Sequence, residues 1–376
     1  ENIVVSLLSL SLDDGILTPD FSSSGAGLLR ILGEEPSLED QQDPTNLIGH
    51  ILDRLCQHPC RVQIDSLERL LQGNEQEGWS EFCDSLWLEF FQQLLLRNHC
   101  PSQVIVTTQD IPARLDTVAS RYRHFWHDQS LNGLTADEQQ ELFYKMGLTP
   151  SETDRNYLKQ IGAFYDGHAL VLRVIAEEMR QPPFLGNVER YWQNYSGEFI
   201  PGNSVSSTGK RQLSRSRLFR RRVRQRVEQS LNSLPEVARN MLCACAVFRR
   251  PVPVEFWYGM VPEEDAQTAF DTLQDRSLVK FLLNVKNDGE WFISQYNLIR
   301  SVAYDRLKID KERWHGAERQ AAHLWLKTYK PAPNASNLKT IRGYLDAFGH
   351  YYSIENWDAA QQIAWTQLDT PTKDYL

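Results

Sequence analysis

The stretch CRVQIDSLERLLQ, residues 60–72, sets the reading of the whole chain. Val62 and Ile64 are β-branched and flank the polar Gln63, an alternation that predicts a strand over 61–65 ending on a carboxylate, Asp65. A second acid, Glu68, follows three residues on, between leucines. A strand that closes on an acid, with another acid one turn later, has the oxygen ligands that a magnesium-bound nucleotide needs. The plainer alternative is that Asp65 caps the next helix and Glu68 faces solvent.

The flanks of this stretch test the first possibility. NLIGHILDRLCQ (46–57) places apolar residues at helical spacing directly before the strand, and SEFCDSLWLEFFQQLLLRN (80–98) predicts a second helix after it. Then SQVIVTTQD (102–110) is another β-branched run, closing on Thr107, Thr108 and Gln109. Residues 2–10 read as a further strand, separated from the rest by a Gly/Ser/Pro-rich passage that holds the short apolar segment AGLLRILG (26–33). Strand, helix and strand at these intervals predict a parallel α/β sheet. Ligands of such sheets sit at the carboxyl ends of the strands, so Asp65, Thr107, Thr108 and Gln109 are expected on one edge. Thr107 and Thr108 are also ordinary β-formers.

Beyond residue 130 the pattern turns helical. LTADEQQELFYKMG (134–147) opens on Thr135 and Glu138, a reciprocal helix-start pair, and Gly147 is placed to stop the helix. Helices are expected over 151–164 and from just after Gly167. Residues 196–216 are rich in Ser and Gly and read as a linker. Helices at 218–231, 235–248 and 264–275 then precede strands at 278–286 and 290–296, joined by an Asn-Asp-Gly turn. Three helices and a hairpin predict a winged helix. From 297 the chain is helical again, and YLDAFGHYYSIENWDAAQQIAWTQL (344–368) sets small and aromatic residues at the spacing of a helical repeat. The expected divisions are a partial α/β domain at 1–130, a helical lid at 131–200, a linker at 201–216, a winged helix at 217–305 and the start of a repeat tail at 306–376.

Composition bounds the function. The 376 residues carry a net charge of −9, with 41% hydrophobic and 24% charged residues, as ordinary globular proteins do. Residues 1–180 hold 13 Lys/Arg against 28 Asp/Glu, and the remainder 27 against 21, a balance that does not favour nucleic acid as the partner of the front half. No apolar run is long enough to span a bilayer, and the opening lacks the basic start of a signal peptide. The six cysteines form no Cys-x-x-Cys pair, which argues against zinc and for buried free thiols in a reducing cytoplasm. The nine histidines stand in no motif with a nucleophile. Trp257, Trp291, Trp314, Trp325 and Trp357 are expected to be packing residues. The basic run KRQLSRSRLFRRRVRQR (210–226) could neutralise nucleic-acid phosphates. It lies at the first helix of the winged helix rather than the third, however, so a contact with the acidic front half or with a partner protein is the stronger expectation.

In their order these parts resemble the bacterial STAND-class NTPases with an NB-ARC module. RVQIDSLERLL (61–71) is similar to the family's Walker B strand, and VIVTTQD (104–110) to its sensor strand. LNGLTADEQQELFYKMGL (131–148) and YDGHALVLRVIAEEM (165–179) resemble two helical-domain motifs. LNSLPEVARNMLCACAVFRRPVP (231–253) and YNLIRSVAYDRL (296–307) resemble parts of its winged helix, and YYSIENWDAAQQ (351–362) the entry to a tetratricopeptide-repeat tail. The resemblance implies ATP or ADP with Mg²⁺, and an ATP/ADP-dependent molecular switch working in defence or regulation. Asp65 would hold Mg²⁺ through water, and Glu68 would orient a water. Thr107 or Thr108 would approach the γ-phosphate. Gly167, His168, Ala169 and Leu170 would pass under the adenine, and Asn297 would reach the phosphates from the winged helix. It further implies a protein ligand at the repeats and self-association on activation.

The departures from that pattern are specific. No Gly-x-x-x-x-Gly-Lys-Ser/Thr loop occurs in the sequence, and SSSGAGLLR (22–30) has small residues without a lysine. In the family that loop lies before the strand matching residues 2–10, which implies residues upstream of Glu1. Gln109 replaces the sensor arginine, Ala169 the adenine-side proline, and Tyr296 and Asn297 the phosphate-contacting histidine. If the chain is an enzyme it is a weak ATPase. The alternatives are a pseudo-NTPase scaffold that binds proteins without turnover, and a winged-helix transcriptional regulator.

Overall fold

The computed structural model describes residues 6–11, 20–74, 78–97, 99–199, 211–283, 291–331, 337–370 and 373–374. The chain divides into two compact units, residues 1–130 and 131–376.

The first unit is built on three parallel strands, β1 (Ser6–Ser11), β2 (Cys60–Asp65) and β5 (Gln103–Val106), in the order β1-β2-β5. The register pairs Ser11 with Asp65 and Ile64 with Val106, so Asp65 ends the central strand. Parallel neighbours need crossover connections, which here are helical. Between β1 and β2 run α1 (Phe21–Ile31), α2 (Leu38–Gln42) and α3 (Pro44–Gln57). Between β2 and β5 run a 3₁₀ turn (Leu67–Leu70), the hairpin of β3 (Leu71–Asn74) and β4 (Gly78–Phe82), and α4 (Ser85–Leu96); α5 (Ala113–Ala119) follows. The core joins Val62 and Ile64 of β2 to Ile48, Ile51 and Leu52 of α3 and to the aromatic group Phe21, Trp87, Phe90 and Phe91. Asp84 serves two helices: its Oδ1 accepts from Leu86 N–H at 3.0 Å at the start of α4, and its Oδ2 from Phe21 N–H at 2.8 Å in α1. The helix expected over 80–98 is shorter. Residues up to Phe82 pair antiparallel with β3, and the helix begins only after its Asp84 cap.

In the second unit α6 (Ala136–Lys145), α7 (Glu152–Phe164), α8 (Ala169–Arg180) and α9 (Val188–Phe199) pack around Phe143, Ile161, Leu172, Ile175 and Tyr191. The linker expected over 196–216 is helical at both ends: α9 takes in 196–199 and the next helix, α10 (Arg211–Asn232), takes in 211–216, while residues 200–210 lie outside the described residues. Then come α11 (Glu236–Ala244) with a 3₁₀ turn, β6 (Val252–Pro253), α12 (Val254–Tyr258), α13 (Glu263–Asp275), β7 (Val279–Leu283) and β8 (Trp291–Gln295). The antiparallel order β6-β8-β7 adds one short strand to the expected hairpin, whose turn, with its Asn-Asp-Gly, falls outside the described residues. Helices α14 (Asn297–Lys308), α15 (Lys311–Lys327), α16 (Asn337–Ser353) and α17 (Trp357–Ile363) continue the same core, in which Trp257 and Trp325 are buried. Trp291 and Trp357, expected in packing positions, are about half exposed, at 54% and 53%. Each still meets a ring edge-on, Trp291 that of Phe281 and Trp357 that of Tyr352. Among the described residues no helix is long and apolar enough to cross a membrane.

Candidate functional site

Where β2 stops, Ser66 takes a left-handed backbone conformation (φ 66°) that turns the chain sharply into the 3₁₀ segment. The end of β5 is tied to this corner at four points. Thr107 N–H donates to Ile64 O (3.0 Å), Thr107 O accepts from Leu67 N–H (2.9 Å), and Thr107 Oγ1 accepts from Ser66 N–H (3.0 Å). The same hydroxyl donates to Asp65 Oδ1 at 2.5 Å. A hydroxyl that both accepts and donates has its proton direction fixed, so the Asp65 carboxylate is held in one orientation at the sheet's carboxyl edge. Beside this pair, Gln109 Nε2 donates to Glu68 Oε1 at 3.4 Å. Thr108 turns away: its Oγ1 donates to Asp110 O (2.7 Å) within the same turn. The structure therefore brings Asp65 to Thr107 and Glu68 to Gln109, and leaves Thr108 to a local bond.

The other predicted residues belong to the second unit. Gly167 has φ +69°, and a Cβ there would stand 2.3 Å from Leu134 O; a Cβ on Gly133 would stand 1.8 Å from Asp166 O. Two backbones thus abut, joined by Leu134 N–H to Gly167 O at 2.8 Å, and only glycine permits it. The capping box of Thr135 and Glu138 starts α6 from that contact. His168 caps α8, its Nδ1 accepting from Val171 N–H at 3.4 Å, which requires an unprotonated nitrogen. Burial pushes its pKa down, in the same sense. Ala169 is exposed and Leu170 half-buried against the core. Asn297 is the exposed first residue of α14.

Sequence reasoning missed the contacts that join α8 to Ser277, just before β7, and Tyr296, just after β8. Arg173 donates to Tyr296 Oη (2.7 Å) and to Ser277 Oγ (3.2 Å), and Ser277 Oγ donates to Glu177 Oε1 (3.1 Å). Glu177 also pairs with Arg180 at 3.0 Å. The available signal was an acid pair, Glu177 and Glu178, inside an apolar helix; both are buried.

Three arginines of the basic run have partners within the protein. Arg222 donates to Phe164 O (3.2 Å) and lies 4.4 Å from that ring's centroid. Arg224 pairs with Asp305 (2.7 Å) and Glu228 (3.2 Å). Arg226, only 1% exposed, pairs with Glu178 and with Glu198 (3.4 Å) and sits by the rings of Tyr191 and Tyr195. Burial pulls its pKa down to about 10, which still leaves it charged at neutral pH.

For a Mg²⁺–nucleotide, the donor set at the first unit's edge fits one half of the requirement. An oriented carboxylate can hold a hydrated cation, but no phosphate-cradling Gly-Lys-Ser/Thr loop is among the 376 residues.

No profile of a known protein family matches the chain, and no curated protein sequence matches it significantly. Among solved structures it is similar to the Signal Transduction ATPase with Numerous Domains (STAND) protein with a tetratricopeptide repeat sensor from Pyrococcus horikoshii. That match has a TM-score of 0.51 and 13% identity over 97% of this chain and 45% of the other. The chain thus spans less than half of that protein's length. The Orc1 protein of Aeropyrum pernix, solved in complex with DNA, aligns at TM-score 0.31 and 12% identity over 82% of this chain and 78% of that one, too weakly to carry an argument. The first likeness is one of fold: a multidomain, NTPase-like architecture.

Proposed function

We propose that this chain is the switch region of a STAND-type signalling NTPase with an NB-ARC arrangement. One observation carries the reading. A carboxylate ends the central parallel strand and is oriented by the residue that follows its neighbour, in a chain whose fold is similar to that of a STAND ATPase. Asp65 would hold Mg²⁺ through its water shell, with Thr107 fixing the carboxylate and Glu68 beside it. Gly167, His168, Ala169 and Leu170 would line the base, and Asn297 would face the phosphates. Bound Mg²⁺–nucleotide would supply a negative charge that differs between ATP and ADP. A switch follows if nucleotide and a protein ligand at α15–α17 favour different arrangements of the winged helix formed by α10–α13 and β6–β8. Self-association is the proposed output, in defence or regulation, within the cytoplasm. In the full chain, Asp65→Ala should weaken fluorescent-ADP binding at least tenfold in the presence of Mg²⁺; unchanged affinity sinks the reading.

The second reading, a pseudo-NTPase scaffold, is favoured by Gln109, whose neutral amide reaches Glu68 where the family would carry an arginine. Stoichiometric ATP or ADP released on denaturing the purified protein would remove it.

A further inference from the structure

Helix α13 ends on a Schellman turn, in which Leu278 N–H donates to Leu273 O (3.0 Å) and Ser277 N–H to Gln274 O (2.9 Å). The left-handed residue of that turn is Ser277, with φ 53°, at a position where glycine is the usual choice. Serine bears a left-handed cost there that glycine avoids, so helix stopping alone does not account for it. Its side chain does. Ser277 is buried, and its hydroxyl joins the end of α13 to α8, accepting from Arg173 Nη2 (3.2 Å) and donating to Glu177 Oε1 (3.1 Å). One bond accepted and one proton donated fix the hydroxyl to both α8 side chains at once. The other arm of the Arg173 guanidinium, Nη1, donates to Tyr296 Oη (2.7 Å), at the residue just before α14. Helix α8 therefore grips the winged helix at both ends of the β7–β8 pair. Each grip lies close to a segment proposed to face nucleotide. Arg173 stands one turn from Ala169 and Leu170, and Tyr296 is the neighbour of Asn297.

We propose that Arg173, Glu177 and Ser277 are positioning residues. They form a polar latch that sets the spacing between the start of α8 and Asn297 at the start of α14, and the switch opens by releasing it. Its regulatory role rests on the nucleotide-switch reading, whereas the latch itself rests on the hydrogen bonds. The chemistry suits a contact that opens and closes. On release, Arg173, Glu177 and Ser277 exchange protein partners for water, a trade close to neutral for hydrogen bonds, and Ser277 becomes free to leave its left-handed backbone. On the far side of the winged helix the joint is of another kind. There α14, α15 and α16 share one apolar core with α11 and α13, and buried Glu318 accepts from Tyr304 Oη (2.9 Å) and meets His350 Nδ1 (2.6 Å). Those helices travel with the winged helix, and α8 is the joint that parts.

Ser277→Gly is the decisive variant, because glycine keeps the Schellman turn and removes only the latch. Hydrogen exchange of the full chain without nucleotide, read by mass spectrometry, should be about tenfold faster in α8 and β7, with α13 unchanged or slower. Arg173→Met should act likewise. The two side chains share a bond, so the double variant should show less than the product of the single effects; if Arg173→Met does not fold, Ser277→Gly decides. With Mg²⁺ present, Ser277→Gly should also weaken fluorescent-ADP binding about tenfold, a shift that a purely structural contact would not produce. Unchanged exchange in α8 and β7 overturns the latch. Unchanged ADP affinity in Ser277→Gly overturns its role in positioning Asn297. An unsubstituted chain that binds no ADP sinks the nucleotide reading instead, and the exchange result alone then decides the latch.

Discussion

Thr107 shows how much one hydroxyl can organise. It orients Asp65 and accepts the N–H of Ser66, a residue that is 7% exposed and set in a left-handed conformation. Thr107→Val keeps the β-branch and removes both bonds. Because Thr107 itself is exposed, water can replace part of the loss, and the expected cost is on the order of 1 kcal/mol in urea unfolding. Thr107→Ser should unfold like the unsubstituted chain. Gly167 is the sharper case. Alanine there must hold φ near +69° and meet Leu134 O, a backbone atom that cannot swing away. The conformation alone costs about 1–2 kcal/mol, so a thermal melt should show Gly167→Ala clearly destabilised. Gly27→Ala is the control, since in α1 its Cβ meets nothing within 4 Å. There the gain in helix propensity predicts stabilisation by up to about 1 kcal/mol.

At the scale of elements, α10 is fastened to the α6–α9 group by a buried ion pair. Removing one partner of such a pair leaves the other charge unpaired, so Arg226→Leu should cost about 3–5 kcal/mol in denaturant unfolding. Arg226→Leu combined with Glu178→Leu should recover much of that loss. The α2–α3 corner is a second fastening and depends on pH. His50 Nδ1 and Nε2 face Asp40 Oδ2 (2.9 Å) and Glu34 Oε2 (2.6 Å). Both nitrogens can donate only as imidazolium. The hydrogen bond to Asp40 raises the His50 pKa above 6.5, burial opposes it, and Glu34 adds to the rise. Burial works against ionised Asp40, but hydrogen bonds from His50 and Ser37 hold its pKa below 3.8. The sign follows for each group. His50's contribution is complete below 6.5 and is lost as pH rises through its higher folded value. Asp40's is complete above 3.8 and is lost as pH falls through its lower one. The protection of α3 amides, measured as the exchange rate relative to the intrinsic rate at each pH, should therefore be highest between those limits, and His50→Asn should flatten the alkaline side. Although α9 and the short α2, α5, α12 and β6 went unread, most other helices and strands were legible in the sequence, because hydrophobic periodicity and caps are local signals. The β3–β4 hairpin was not: Ser80 to Phe82 also fit a helical reading, and the Asp84 cap that starts α4 was the signal to weigh more heavily.

For the whole molecule, the sheet edge could be anticipated because parallel strands deliver their carboxyl ends to one side, and Asp65 and Thr107 do meet there. What stayed hidden were long-range polar partners. Arg173 and Tyr296 are 123 residues apart, and no periodicity relates them. The basic run misleads for the same reason. Read along the chain it is a cationic stripe, yet Arg222, Arg224 and Arg226 are held by Phe164 O, Asp305, Glu228, Glu178 and Glu198. Non-specific DNA binding scales with the number of phosphates neutralised. Arginines paired within the protein must first give up those partners, in a chain whose net charge of −9 already opposes a polyanion. A fluorescein-labelled random duplex titrated with the full chain at physiological ionic strength should show no rise in anisotropy. A rise that falls steeply with added salt, and that Arg222→Gln and Arg224→Gln each diminish, would mean these arginines leave their internal partners for phosphates, and would return the basic run to the nucleic-acid reading.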